Sequence, residues 1–269
     1  MKTNHIKDLY FAIKSGEGAS GRVSSVRDLT KIDLHDNYSL IIAVDSDGGI
    51  GPRPGDTVIC PAYDLGRFAI RVPLMEVLAS GAIPIAAWDM LTLPMDETGK
   101  EILRGIKEEL AMAGLGEDFH VSGSTEDNVP TNMTGLGTCV AGLVHSQDFR
   151  PGTSQSGDLI VCFGFPKSAP EYNVSVDDPE ILPSSDLLKL GKVEGIHDIL
   201  PVGSHGPLFE IEQMALSAGL KYRIVQSPVH LNKSGGPSTC AVISLTEAAL
   251  EHVRPLVKDP VHVVGKLYT

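Results

Sequence analysis

In LIIAVDSDGGIG, residues 40–51, two carboxylates stand between an apolar run and a cluster of glycines. Asp45 and Asp47 follow the run at 40–44, and Gly48, Gly49 and Gly51 follow them. Carboxylates at the end of a strand can hold a hard cation such as magnesium, and glycines let the backbone approach phosphate oxygens unobstructed. The same residues also suit a plain tight turn leaving a strand. Two further stretches repeat the arrangement. The apolar run at 83–88 ends on Asp89, and 120–122 leads into Gly123, Ser124, Thr125, Glu126 and Asp127. Near the N-terminus, Lys14, Gly16, Gly18, Gly21 and Arg22 could form a flap over phosphates, or an ordinary mobile terminal loop.

These residues need strands and helices to hold them. The short apolar runs at 40–44, 83–88 and 135–144 read as buried strands. Residues 64–80 read as a long helix that is apolar on most sides and therefore buried, closed by Gly81. Glu76 sits in that apolar company and requires either a metal or a nearby arginine, with Arg67 and Arg71 the candidates. Residues 97–114 form an amphipathic helix. A polar, turn-rich stretch at 145–157 marks a boundary between residues 1–150 and 151–269. The second half repeats the alternation, with strands at 158–164, 199–206, 222–225, 240–245 and 261–267. Helices fall at 186–192, 207–218 and 246–256, and a second glycine-rich loop, KSGGPST, spans 233–239. Alternating strands and helices give an α/β class.

Composition narrows the function classes. The chain has 269 residues, 42% hydrophobic, and a formal net charge of −12. An acidic chain is a poor candidate for nucleic acid, although metal ions can still bring an anionic substrate to it. Cys60, Cys139, Cys162 and Cys240 show no CxxC spacing and have apolar neighbours, so buried thiols are expected. There is no signal-peptide pattern and no apolar run of membrane-spanning length, so a cytoplasmic location without membrane contact is expected.

Four segments in order resemble one superfamily, that of aminoimidazole ribonucleotide synthetase, thiamine-monophosphate kinase and selenophosphate synthetase. LIIAVDSDGGIG is similar to its strand ending in TD or DGVGTK. GRFAIRVPLMEVLASGAIPIAAWDML is similar to its helix-to-strand segment, with Glu76 where the family has Asp. SGSTEDNVP is similar to GGDT or GGETAEMP, and PGTSQSGDLIVCFG to the opening of the second domain. The resemblance implies a two-domain α/β fold whose N-terminal mixed sheet pairs in a homodimer, with ATP bound through Mg2+ on the strand-end acids.

Carried onto this chain, the metal ligands are Asp45, Asp47 and Glu76. Ser124 stands where the family has an acid, so Glu126 or Asp127 substitutes. Asp45, Asp89 and Glu126 are the catalytic candidates, with Asp89 or Glu126 holding the acceptor hydroxyl. The glycines at 16, 18, 21, 48, 49, 51 and 123, with Lys14, Arg22 and Thr125, are the nucleotide-contact candidates; His205 ranks below the acids. The absence of a Cys near the N-terminal glycines and at the GKLYT end separates the chain from selenophosphate synthetase and the hydrogenase maturation dehydratase. RDLT, DSDGGIGPRPGD and GSTEDN resemble most the α-ribazole kinase branch. That branch implies phosphorylation of a small nucleoside-like substrate, α-ribazole, on its 5′-hydroxyl. Thiamine-monophosphate kinase, another ATP-dependent synthetase, or a non-catalytic nucleotide-binding protein are the alternatives.

Overall fold

The computed structural model describes residues 6–16, 22–34 and 36–269; Gly18 and Gly21 lie outside these. The first half runs α1 (Ile6–Lys14), β1 (Val23–Val26), β2 (Leu29–Asp33), β3 (Tyr38–Gly48), β4 (Ile50–Gly51) and β5 (Val58–Ile59). It continues with α2 (Ala62–Ala79), β6 (Ile83–Leu91), α3 (Glu97–Met112), β7 (Val121–Thr125) and β8 (Gly135–His145). The second half runs β9 (Leu159–Phe163), α4 (Ser184–Leu190), β10 (Ile196–Pro201), α5 (Gly206–Ala218), β11 (Lys221–Ile224), β12 (Ala241–Leu245), α6 (Glu247–Val253) and β13 (Val261–Tyr268).

Two sheets result. The first has the order β1-β2-β3-β8-β6-β7 and is antiparallel apart from the parallel β6–β7 pair. The second, β10-β12-β9-β13-β11, is antiparallel throughout. The fold is thus a mixed α/β architecture.

Two strands run further than the sequence suggests. β3 does not stop at Val44 but continues through both acids to Gly48. β8 pairs with it all the way, opposing Asp45 with Thr138, Asp47 with Leu136 and Gly48 with Gly135. β6 likewise carries Asp89 inside the strand, opposite Thr138. Cross-strand pairing therefore overrides the poor strand propensity of aspartate.

α2 is apolar nearly all round because it serves two cores. Its Leu65, Ile70, Leu74 and Val77 pack with Ile41, Ala87 and Val140 of the first sheet. Its Met75 and Ala79 pack with Val161 and Phe163 of the second. Pro73, inside the helix, has no N–H to give to the carbonyl four residues back. That carbonyl, of Ala69, instead accepts the Thr138 hydroxyl at 2.8 Å. The repair ties α2 to the strand that pairs with both Asp45 and Asp89. α3 crosses α2 at backbone contact: a Cβ on Gly66 would lie 2.0 Å from the Ile102 carbonyl oxygen, and one on Gly105 would lie 2.0 Å from that of Tyr63.

Arg67 and Arg71 do not pair with Glu76. Both turn to Glu109 of α3, which accepts from Arg67 Nε at 3.0 Å and Nη2 at 2.9 Å, and from Arg71 Nη1 at 3.4 Å. The Ser184 hydroxyl of α4 donates to the same carboxylate at 2.8 Å. Arg71 also donates to the carbonyls of Leu182, Pro237 and Ser238, so this buried cluster joins α2 and α3 to the second half.

Beside this cluster lies a strained acid pair. Asp259 is buried, and neither of its oxygens receives a donor from the protein. Burial, and then the buried Asp186 beside it, push its carboxyl up to about 6, with Arg71 opposing. The native state therefore holds this proton more tightly than the unfolded chain. The stability this gives is complete below about pH 4 and is lost as pH rises through about 6. Asp259→Asn is expected to gain about 1–3 kcal/mol at pH 7.5 and little at pH 4, read by urea denaturation at both pH values.

Cys162 and Cys240 are buried as expected, but Cys60 and Cys139 are only half-buried. No described helix is long and apolar enough to cross a membrane. The outer face of the first sheet exposes Val44, Ile83, Ile85 and Met90, at 66%, 72%, 49% and 43% of their surface.

Candidate functional site

Alternation along β3 decides where the two acids point. Ile41 and Ala43 face the core beneath α2, so Asp45 and Asp47 share that face, while Val44 and Ser46 face outward. Past the end of the core, this face opens into a cavity of about 240 Å3 between the two halves. Asp45 and Asp47 stand on its wall. Ile50, Ile59, Leu65 and Phe68 continue the first-half side, and loops 168–174 and 234–237 close the other.

Among the described residues, no cation compensates this acid pair. Burial, and then the neighbouring Asp45 charge, push the Asp47 carboxyl up to about 6. Burial and Asp28 raise Asp45 as well, against a bond from the Ser46 backbone. The acidity extends behind the cavity. Glu76 is raised well above the usual carboxylate range by burial, then by Asp28 and Glu210, with Arg27 opposing and Asp45 adding to the rise. Glu210 of α5 is pushed up to about 7 by burial and Asp28. Arg27 is itself committed to the buried Asp198, donating from Nη1 at 3.0 Å.

The other sequence candidates are dispersed. β7 lies three strands from β3, roughly 14 Å by sheet spacing, which carries Glu126, Gly123 and Thr125 away from the acid pair. Glu126 accepts from the Asn128 and Val129 amides at 2.7 and 3.1 Å, and these bonds lower its pKa. Thr125 donates to Asp127 at 2.7 Å. Gly123 makes room for Asp89: a Cβ there would lie 2.5 Å from the Asp89 Cγ. Asp89 is buried under the helices, raised by that burial, and does not line the cavity. Among the described residues, no three His, Cys, Asp or Glu side chains converge as a metal site, so Asp45, Asp47, Glu76 and Glu126 do not form one shell.

The glycines after β3 serve the backbone. Gly49, at φ +71°, donates its N–H to the Thr134 carbonyl at 2.8 Å, which removes that amide from phosphate binding. Gly51, at φ +151°, packs against Thr134 and Asp56. Gly48 is exposed at the strand end. Gly16 closes α1, Lys14 lies over the Tyr10 ring at 5.7 Å, and Arg22 donates to the Leu34 carbonyl at 3.1 Å; none of the three lines the cavity. His205 is exposed against Phe209. The sequence reading missed the second-half wall, above all Ser168, Tyr172 and Asn173, although the glycine-rich loop at 233–239 signalled a surface reserved for close approach.

Residues 28–144, which include β3, α2 and both acids, match the N-terminal domain of AIR synthase related proteins. Over that stretch the chain is similar to an AIR synthase-related N-terminal domain. The selenide, water dikinase of Caldanaerobacter subterraneus subsp. tengcongensis is 31% identical over 108 residues. That match covers 39% of this chain and 29% of the relative, so the chain accounts for less than a third of that enzyme's length.

Solved structures extend the likeness in fold beyond the AIR synthase-related domain. T. maritima PurL complexed with ATP superimposes with a TM-score of 0.66 at 14% identity, covering 98% of this chain and 48% of that one. Thiamine-monophosphate kinase from Stenotrophomonas maltophilia gives 0.63 at 17%, covering 97% and 93%. The Aquifex aeolicus enzyme complexed with AMPPCP and TMP gives 0.60 at 15%, covering 100% and 92%.

Proposed function

We propose that this protein is an ATP- and magnesium-dependent phosphotransferase acting on a small nucleoside-like alcohol, α-ribazole being the first candidate. The observation that carries the reading is the pair Asp45 and Asp47 on the wall of the cavity between the halves, uncompensated among the described residues. Magnesium is commonly bound by one or two carboxylates, with waters and substrate phosphates completing its shell. Two acids without a third protein ligand fit that pattern. A bound magnesium would neutralise charge on the phosphate oxygens. Asp45 and Asp47 would hold it, and the walls of the cavity would orient the acceptor hydroxyl and exclude water. The AIR synthase-related domain supports ATP use, as do structural neighbours solved with ATP or AMPPCP.

On this reading residues 1–150 and 151–269 act as two domains. The exposed apolar face around Val44 and Ile85 pairs two copies of the chain, which light scattering of the purified protein would read as a dimer. The decisive experiment incubates the protein with ATP, magnesium and single acceptors: α-ribazole, thiamine monophosphate and formylglycinamidine ribonucleotide. One phosphoryl group gained by α-ribazole, read by mass, is the expected result. Gain on thiamine monophosphate alone would replace the substrate but keep the class. ATP left intact with every acceptor would overturn the phosphotransferase.

A further inference from the structure

Residues 164–183, between β9 and α4, form one long connection that supplies Ser168, Ala169, Tyr172, Asn173 and Val174 to the cavity wall. Its two ends are fixed. The buried Thr239 hydroxyl accepts from the Lys167 amide at 2.9 Å and donates to the Phe165 carbonyl at 3.0 Å. The Thr239 carbonyl accepts from the Leu182 amide at 2.8 Å. Lys167 pairs with Asp178 and Glu180, both at 2.7 Å, which ties the two ends to each other. The middle is held differently. Among the described residues, the hydrogen bonds and ion pairs that tie residues 169–174 to anything outside this connection all come from Lys233. Its ammonium pairs with Glu171, donates to the Tyr172 hydroxyl at 3.0 Å and lies 5.0 Å from the Tyr172 ring centroid. The backbone of Lys233 is packed: a Cβ on Gly206 would lie 2.6 Å from its carbonyl oxygen. The Lys233–Glu171 pair is open to solvent, with side chains 32% and 59% exposed.

We propose that residues 168–174 are a strap that opens and closes over the cavity, and that Lys233 is its latch, a positioning residue that holds Tyr172 on the cavity wall. The proposal rests on the reading that this cavity receives a substrate. A connection clamped at both ends and tied in its middle by one exposed side chain opens there at the smallest cost. An exposed ion pair and a cation–π contact are each weak, so the latch releases readily and is loosened by salt. With the latch closed, the Tyr172 ring stands across the space from Leu65 and Phe68. Cys60 stands on that same opposite wall, and its half-buried thiol lines the space that the strap bounds. Its accessibility therefore reports whether the strap is open.

The test is the rate at which N-ethylmaleimide, an uncharged reagent, alkylates Cys60 in the full chain at pH 7.5 without magnesium or nucleotide, read by peptide mass. Lys233→Met is expected to speed Cys60 about fivefold or more, the combined weight of an exposed ion pair and a cation–π contact. Lys233→Arg, which keeps the charge and the donors, should stay within about twofold of the natural protein. About 0.5 M sodium chloride should speed Cys60 in the natural protein more than in Lys233→Met. Cys139, half-buried on β8 and outside the cavity lining, should keep one rate in all three proteins, which separates latch opening from general loosening. Loss of a nearby positive charge works against the expected result, because it disfavours the reactive thiolate. Equal Cys60 rates in the three proteins, or a rise shared by Cys139, would overturn the proposal. The two readings fail separately. A Cys60 rate that depends on Lys233, in a protein that leaves ATP intact with every acceptor, keeps the strap and removes the phosphotransferase. Phosphoryl transfer with a Cys60 rate indifferent to Lys233 keeps the phosphotransferase and removes the strap.

Discussion

Asp47→Asn is expected to lower phosphoryl transfer by about 10³-fold or more while making the metal-free protein more stable. The two effects have one cause. Asp47 lies in a partly desolvated cavity beside Asp45, and its carboxyl is pushed up to about 6. Its folded-state pKa is above the unfolded value of 3.8, so its contribution to stability is complete below about pH 4. It is lost as pH rises through about 6. Above that pH the native state carries two neighbouring carboxylates on one strand face with no cation beside them among the described residues. Asparagine keeps the shape and removes one charge, which should return about 1–2 kcal/mol at pH 7.5 after allowance for its partial exposure. Melting temperature in EDTA should therefore rise by a few degrees. Magnesium with ATP should stabilise the natural protein and leave the variant nearly unchanged. Retained turnover in Asp47→Asn, or a lower melting temperature in EDTA, would remove the acid pair from the role assigned to it.

Glu109→Ala is expected to cost about 3–5 kcal/mol, the largest stability loss of any single change considered for this molecule. Two buried guanidinium groups, Arg67 and Arg71, depend on this one carboxylate. Removing it leaves both charges without a counter-ion, and it also frees the Ser184 hydroxyl. Glu109→Gln, which retains an acceptor oxygen, should lose less. Urea denaturation reads the difference. The damage should reach the site as well, since Arg71 supports the Pro237 carbonyl and Pro237 lines the cavity. In an active preparation the acceptor KM should rise more than the ATP KM in Glu109→Gln. An unchanged midpoint in both variants would show that the cluster does not join the two halves.

The elements themselves were readable in the chain because they are encoded by near neighbours. The apolar runs at 40–44 and 83–88 and the helical spacing over 97–114 reappear within β3, β6 and α3. Gly81, at φ +86°, follows α2 as the sequence indicates. Asp45 stood out as a candidate from its place beside the glycines, and it lines the cavity. Asp47 entered only through the resemblance; its place beside Asp45 on one face comes from β3 continuing past Val44, where residues two apart share a face.

Partnerships across the chain were a different matter. Nothing local to Arg67 distinguishes Glu76, nine residues away on its own helix, from Glu109, which the α2–α3 crossing brings to it over 42 positions. Nothing near Pro73 announces that Thr138 supplies the hydrogen bond its missing N–H leaves open. Glu126 had the right residue type after a strand, but sheet order is set by which strands pair, and that order places β7 three strands from β3. The wall of neutral side chains at 168–174 faces Asp45 and Asp47 because α2 shares its apolar surface between two cores and so holds the second half against the first. Amino-acid order determined the strands, the helices and one acid of the site. Tertiary packing decided which charges meet and which stand alone, because burial and distance in space govern the cost of a charge, and neither is a property of sequence neighbours.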